Sequence, residues 1–410
     1  MKHITIVGAG QSGLQLGIGL LQNGYRVTLV TDRTGEQIAN GPVMSTQCMF
    51  HSALESERAL ALNHWEQQCP KIEAINLCVT HPESLGEKVI NWRGGLSHFA
   101  LSVDQRIKFP NWMDKFEELG GELVVKRTQP SDLDQLGEQS DLLILATGKA
   151  ELANLFERDS LRSPFERPQR KLVLLYLQNP QGDKPLDNVS FNVIPGAGEF
   201  FIMPALSHNG ACEAMLFEVI PDGPLDRFEG LESNEQVLEK ARSVLNTYLP
   251  WEAQRIEQAV LTDDNAVISG SFVPTVRKPV AKLASGKLVF GLGDTLCLND
   301  PITGQGANNA AKAAQLYLER IISHGQQAFD EQWMTETFEQ FWQYAQWPTT
   351  WSNMMLTPPP EFVLNLLGAA GQYPKLANRI VNAFDDPADL FPWFSHEEHA
   401  NAYLAELSAV

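Results

Sequence analysis

The feature that most constrains this chain is a glycine-rich turn set between a short apolar strand and a helix. His3-Ile4-Thr5-Ile6-Val7 reads as a strand, Gly8-Ala9-Gly10-Gln11-Ser12-Gly13 follows it, and Leu14 to Leu21 reads as a buried helix ending at Asn23-Gly24. Arg26-Val27-Thr28-Leu29-Val30 is the next strand. This β-α-β order demands a parallel pair joined by a right-handed crossover. In such a turn the first glycine makes the bend, the second lets backbone approach a pyrophosphate, and the third lets the helix pack on the strand. The helix N-terminus adds unpaired N–H groups and the positive end of its dipole. Glycine-rich turns alone are common; the strand before and the helix after mark this one as a dinucleotide site, with Gly8, Gly10, Gln11, Ser12 and Gly13 as its residues. About 20 residues on, such folds carry an acid for the ribose hydroxyls. That stretch reads Thr31-Asp32-Arg33, with Thr31 at the usual glutamate position, so Asp32 or a backbone contact must serve.

A second glycine segment lies far along the chain. Lys287 to Phe290 is a strand entering Gly291-Leu292-Gly293-Asp294, and Pro301, Gly304-Gln305-Gly306 and Asn308 lead into a helix over 307–322 that Gly325 closes. Asp294 at a strand end can accept hydrogen bonds from ribityl hydroxyls. Gly304 and Gly306 let backbone lie against a flat ring, and the helix N-terminus can face the pyrimidine edge of a flavin and stabilise its anionic form. The pair of segments predicts FAD, held additionally by Asp294, Pro301, Gly304, Gln305, Gly306 and Asn308.

Between them, Val103 to Leu119 reads as an amphipathic helix stopped by Gly120-Gly121, followed by the strand Glu122 to Val125. Asp141 to Ala146 is a continuous apolar strand, as expected where both faces of a sheet are covered. Lys171 to Leu177 and Glu199 to Met203 read as strands among Pro and Gly turns. A capping box at Ser233 to Gln236 opens a helix that Pro250 ends. The expected class is α/β: a Rossmann-like FAD-binding domain (1–75, 98–160 and 275–330), a mixed β-sheet substrate domain (76–97 and 161–274), and C-terminal helices over the Trp-rich 331–410.

The 410 residues are too many for one simple core. With 31 Lys plus Arg against 50 Asp plus Glu, the net charge of -19 argues against nucleic acid and anionic membranes as partners. No window reaches the roughly 18 apolar residues of a membrane span, and Met1 to Gly8 reads as strand and loop rather than as a secretion signal. Five cysteines without a C-x-x-C pattern read as reduced thiols of a cytoplasmic protein. His396-x-x-His399 beside Glu397 and Glu398 reads as a solvated helix, so no metal is expected, and Ser207-His208 lacks a nucleophile elbow.

The paired glycine segments resemble those of the aromatic-hydroxylase superfamily of flavin monooxygenases. That resemblance places Arg106, in Val103-Asp104-Gln105-Arg106, near the FAD phosphates. The Asp-Gly-x-x-Ser-x-x-Arg stretch of its NADPH-using members is missing: the matching positions are Thr147, Gly148, Glu151 and Asn154. With no second G-x-G-x-x-G, productive nicotinamide binding is not expected. End to end, the chain resembles the oxygenase component of two-component styrene and indole monooxygenases. The carrying segments are Ile6 to Gly13, Thr31-Asp32-Arg33, Thr147-Gly148-Lys149, Ser163 to Arg170, Gly291 to Asn308 and Pro359-Pro360-Glu361-Phe362.

The resemblance implies a monooxygenase that takes FAD already reduced, as diffusible FADH2 from a transient NADH-dependent flavin reductase. With O2 it would epoxidise a small aromatic substrate through a C4a-hydroperoxyflavin. Ser45-Thr46-Gln47-Cys48-Met49 matches the Ser-x-Gln-x-Met of indole-type members rather than the Asn-x-Val-x-His of styrene-type ones. The implied reaction is therefore epoxidation of the C2=C3 bond of indole, leading to indoxyl and indigo. Ser45 and Gln47 are the implied catalytic residues, and Met49, Ile72, Ile75 and Ala100 the implied substrate pocket. A styrene-type epoxidase and a non-catalytic flavin-binding protein are the alternatives, and a homodimer is left open. A flavin-dependent halogenase is disfavoured by the missing Trp-x-Trp-x-Ile-Pro segment.

Overall fold

The computed structural model describes residues 1–148, 151–178 and 186–409. His3–Val7, with four of five residues buried, lies inside a six-stranded sheet. It pairs in parallel with Arg26–Thr31 on one side and Leu142–Leu145 on the other. Glu122–Val125 extends the first side and Leu288–Gly291 the second, both parallel, and the short Val280–Lys282 closes that edge antiparallel. The chain fills one side of His3–Val7 before crossing to the other. The switch point therefore falls between His3–Val7 and Leu142–Leu145, and such sheets take ligands outside the carboxyl ends of their strands there.

Two glycines are fixed by that junction. Gly8 has φ +120°, and a Cβ on it would sit 2.2 Å from the Ala146 carbonyl oxygen. A Cβ on Gly13 would sit 2.0 Å from the Gly8 carbonyl oxygen, so the third glycine lets the helix Gln11–Gln22 seat against the turn. The helix begins at Gln11 rather than at Leu14, because the turn feeds directly into it.

The second sheet has eight strands. Its order is Val260–Leu261, Lys171–Gln178, Gly210–Val219, Gly198–Ser207, Asn188–Ile194, Ile72–Thr80 and Lys88–Ala100, with Val267–Gly270 also on Lys171–Gln178. Its faces separate by residue parity. Val173, Leu175, Phe200, Ile202, Met215 and Phe217 pack with residues of the helices Asn234–Tyr248 and Pro250–Arg255. Leu174, Tyr176, Phe191, Phe201, Met203 and Leu216 belong to the opposite face, in one cluster with Trp351, Val363, Leu366 and Leu376 of the C-terminal helices. Covering both faces is why Gly198–Ser207 is buried throughout.

The expected boundaries at 75/76 and 97/98 fall within strands: Ile72–Thr80 and Lys88–Ala100 are one antiparallel pair in the second sheet. Pro250 likewise opens a short helix instead of only ending one. The region after 330 forms Glu331–Met355, Glu361–Ala370, Pro374–Asn382 and Glu397–Ser408. Pro374–Asn382 lies so close on Lys88–Ala100 that a Cβ on Gly94 would be 2.5 Å from the Ala377 carbonyl oxygen. Among the described residues no helix is long and apolar enough to cross a membrane.

Candidate active site

A cavity of about 950 Å³ runs from the carboxyl ends of the first sheet to the inner face of the second. The helices Gln11–Gln22 and Gly306–His324 both begin at its wall. A Cβ on Gly10 or on Gly306 would meet no atom within 4 Å, so backbone faces open space at both helix starts. Gly304 adopts φ +64° in the turn before the second helix. This is the local geometry a diphosphate and a flat ring require, with N–H groups and two helix dipoles directed at them.

Thr31, Asp32 and Arg33 line the cavity beyond the first turn, as the ribose position of such a fold would. Thr31 Oγ1 is occupied by the Arg33 backbone, accepting from its N–H at 3.4 Å and donating to its carbonyl at 3.2 Å. The Asp32 carboxylate lies 3.5 Å from the Arg33 guanidinium. Asp294 and Pro301 line the opposite wall. At the other end the lining turns apolar: Ile75, Leu174, Val189, Phe191, Phe201 and Met203. Phe191 and Phe201 set their ring centroids 4.5 Å apart.

Of the residues implied for catalysis, Ser45 and Gln47 both line the cavity; Ser45 is exposed, whereas Gln47 is buried. Of the implied pocket, only Ile75 reaches the lining. Met49 exchanges backbone hydrogen bonds with Leu101 at 2.8 and 3.0 Å, which turns its side chain into a cluster with Ala53, Leu54 and Leu101. It borders a separate small cavity of about 10 Å³. Ile72 and Ala100 are paired across their strands and wholly buried, so they are core.

Four residues expected at the cofactor stand off the cavity for stated reasons. Gly13 is spent on packing against Gly8. Gln305 is buried and donates to the Thr303 and Phe384 carbonyls. Asn308 accepts from the Phe50 N–H at 2.9 Å and donates to the Cys48 and Gly304 carbonyls, which ties the 48–50 segment to the turn before the helix. Arg106 does not face the cavity either. Asp104 caps the helix Gln105–Glu118, and Arg106 folds back onto it at 2.7 Å while gripping Asp263 through two bonds of 2.9 Å. One residue earlier on the helix, Gln105 lines the cavity in its place. Lys149 lies outside the described residues.

Other groups were invisible to sequence reading. Behind Gln47 and Gln11 lies a buried Lys108–Glu57 ion pair, and burial pushes the Lys108 ammonium below its ordinary value against the pull of Glu57. Arg170 and Glu199 form a buried bidentate pair beside Glu218 and Asp300. Burial, then the neighbouring Asp300, drives Glu218 well above the carboxylate range. Burial also pushes the Cys48 thiol up to about 12, which removes it as a nucleophile. The apolar lining did have a sequence signal: Val189 and Phe191, Phe201 and Met203, and Leu172 and Leu174 each repeat at the two-residue strand period.

Comparison with known proteins bears on these features together. The family described as Styrene monooxygenase A putative substrate binding domain matches residues 148–255. Across its whole length the chain is similar to Styrene monooxygenase StyA from Pseudomonas fluorescens, at 30% identity over 422 residues covering 100% of both chains. Among solved structures it is similar to a flavoprotein/dehydrogenase from Cytophaga hutchinsonii, with TM-score 0.66, 13% identity and coverage of 99% and 98% of the two chains. It is also similar to the flavin-dependent brominase Bmp2, with TM-score 0.65, 12% identity and full coverage of both chains. At these identities the two structures speak to the fold alone.

Proposed function

The chain belongs to the styrene monooxygenase family, and from that premise we propose that it is the oxygenase of a two-component system. It would take FAD reduced by a separate NADH-dependent reductase and, with O2, epoxidise the C2=C3 bond of indole. The observation that carries this reading is the continuity of the cavity: a dinucleotide cradle at one end opens onto an apolar wall at the other. The residues present fit FAD. Gly10 and Gly306 leave open space that would let backbone approach it, Thr31, Asp32 and Arg33 would serve its adenosine ribose, and Asp294, with Pro301 on the same wall, would serve its ribityl hydroxyls.

When bound, reduced FAD supplies the activation of O2 to an electrophilic oxygen donor. The chain's own residues hold and shield the substrate. Phe191, Phe201, Ile75 and Met203 form an apolar wall for a flat bicycle, fixing its face and edge by shape. The same wall keeps out the water that would divert the oxygen into hydrogen peroxide. Ser45, exposed beside the buried Gln47 on the cavity wall, would accept a hydrogen bond from the indole N–H. The separate reductase is supported by Thr147, Glu151 and Asn154, which stand where an NADPH-binding stretch has Asp, Ser and Arg, while Gly148 keeps its glycine.

The decisive experiment supplies the purified chain with FAD, NADH and an unrelated flavin reductase, and offers indole and styrene separately. Faster indole oxidation with blue pigment is the expected outcome. Faster styrene epoxidation would transfer the substrate to styrene, a second reading favoured by the named activity of the Pseudomonas relative. No product from either would refute the monooxygenase reading.

A further inference from the structure

Two glutamines reach the cavity wall from different elements, Gln11 at the first position of the helix Gln11–Gln22 and Gln47 in the segment before Phe50. Both are over nine-tenths buried, at 6% and 2% exposure. Each leaves one polar atom without a partner: Gln47 its Nε2 and Gln11 its Oε1. Neither orientation is free to reverse. Lys108 Nζ donates to Gln47 Oε1 at 3.3 Å, and an ammonium has only donors, so the Gln47 carbonyl must face it and the NH2 must face away. Gln11 Nε2 donates to Glu57 Oε1 and to Gln15 Oε1, both at 3.0 Å. Two acceptors require the NH2 of Gln11, which leaves its carbonyl oxygen buried without a partner in a residue that lines the cavity. Glu57 and Lys108 pair with each other in the same buried spot, above the Trp112 ring.

We infer that the Lys108–Glu57 pair is a positioning device that sets the polarity of two cofactor-facing amides. Gln47 is made a hydrogen-bond donor to an oxygen of the bound dinucleotide, and Gln11 an acceptor for one of its hydroxyls. The location fits that task. Gln11 belongs to the phosphate turn, and Gln47 is joined through Cys48 to Asn308, which anchors the Gly304 turn. The two amides therefore stand between the two glycine segments, along the path of a ribityl diphosphate. Unpaired buried amide groups are costly, so a ligand that completes them gains more than one meeting solvated groups. Gln47 thereby moves from the oxygen chemistry to cofactor recognition.

The inference rests on the cofactor reading above, and its test separates the two. Oxidised FAD is titrated against the intact chain by fluorescence quenching, with thermal melting in parallel. Gln47→Met is expected to raise the dissociation constant about tenfold, the weight of one good hydrogen bond to a polar ligand. Lys108→Met with Glu57→Gln removes the ammonium but keeps an acceptor for Gln11. It is expected to raise the constant about fivefold, on the scale of one hydrogen bond. The triple variant is expected to bind no more weakly than Gln47→Met alone, because the pair acts through that amide. A merely structural pair would lower the melting temperature and either leave FAD binding unchanged or multiply with Gln47→Met; either result overturns the inference. Should the pair variant not fold, unaltered FAD binding by Gln47→Met overturns it equally. Absence of FAD binding by the unmodified chain would instead sink the cofactor reading itself.

Discussion

Replacing Arg106 by Met separates what the sequence suggested from what the structure places there. A phosphate-binding arginine would cost cofactor affinity and little stability; a buried bridge would do the reverse. The guanidinium and Asp104 are 2% and 1% exposed at their side chains, whereas Asp263 is 30% exposed. Removing the guanidinium strands Asp104 as a buried charge with only the helix N–H of residue 106, at 2.8 Å, to satisfy it. Breaking a buried pair in this one-sided way costs about 3–5 kcal/mol. The Asp263 side rehydrates and contributes about 0–1 kcal/mol, as exposed pairs do. Combining Arg106→Met with Asp104→Asn removes the stranded charge and keeps the cap, since Asn caps as well as Asp. That double variant is expected to recover all but about 1–2 kcal/mol, the net weight of the lost guanidinium hydrogen bonds.

Urea unfolding at neutral pH measures the stability, and FAD titration the affinity. The reasoning is refuted if Arg106→Met loses less than about 1 kcal/mol while FAD affinity falls tenfold or more. The pH dependence adds a check of sign. Burial pushes Asp263 up, but the Arg106 hydrogen bonds outweigh it and hold its carboxyl below the ordinary value. A depressed carboxyl contributes stability above its unfolded value of about 3.9 and loses it as pH falls through the folded one. The deficit of Arg106→Met relative to the unmodified chain is therefore expected to narrow on acidification below that range.

Three further outcomes follow from the geometry. Gly13→Ala forces a Cβ to within 2.0 Å of the Gly8 oxygen and is expected to cost about 1–3 kcal/mol with loss of FAD binding; Gly10→Ala, in open space, should keep its melting temperature and lose only FAD affinity. Ile75→Ala should change the indole-to-styrene rate ratio by about tenfold. Ile72→Ala should leave that ratio alone and cost about 2–5 kcal/mol in unfolding. Glu218 titrates above the carboxylate range because it is buried beside Asp300, so its stabilising contribution is complete below its unfolded value and fades as pH rises through the folded one. Glu218→Gln should flatten the fall in melting temperature as pH rises above the ordinary carboxylate value of about 4.3, and an unchanged slope would show that Glu218 is not the group responsible.

The first sheet was legible because two signals agree there: apolar strands of fixed length, and glycines whose spacing has a mechanism. Its second neighbour was harder. Lys88–Ala100 carries Gly94-Gly95 in mid-strand, which reads as a break, and the reason for Gly94 is the Ala377 backbone pressing on it from nearly three hundred residues away. Arg106 shows the same limit at a single side chain. Its helix was visible in the periodicity, but its direction is decided by Asp263, 157 residues further on. The 45–49 segment divides for a backbone reason. Ser45 and Gln47 reach the cavity, while the bridge to Leu101 turns Met49 away, and no spacing within the segment announces that bridge.

Buried polar ties explain how the two ends of the cavity keep one relative position. Apolar contact is strong but non-directional, so two sheets held by it alone could slide against each other. Hydrogen bonds are directional, and here the buried ones cross between the parts that hold each ligand. Arg106 reaches from its helix to Asp263 beside the second sheet, Asn308 ties its helix to the 48–50 segment, and Gln305 ties the same turn to Phe384. The apolar end is left to shape. Loosening one of these polar ties should therefore disturb cofactor affinity and coupling of oxygen to product together, because both depend on the relative position of the two sheets. Changing Phe191, Phe201 or Ile75 should alter which aromatic fits and leave FAD affinity where it was. Loss of FAD affinity on repacking that wall would show that the two ends are not independent, and that the polar ties are not what fixes them.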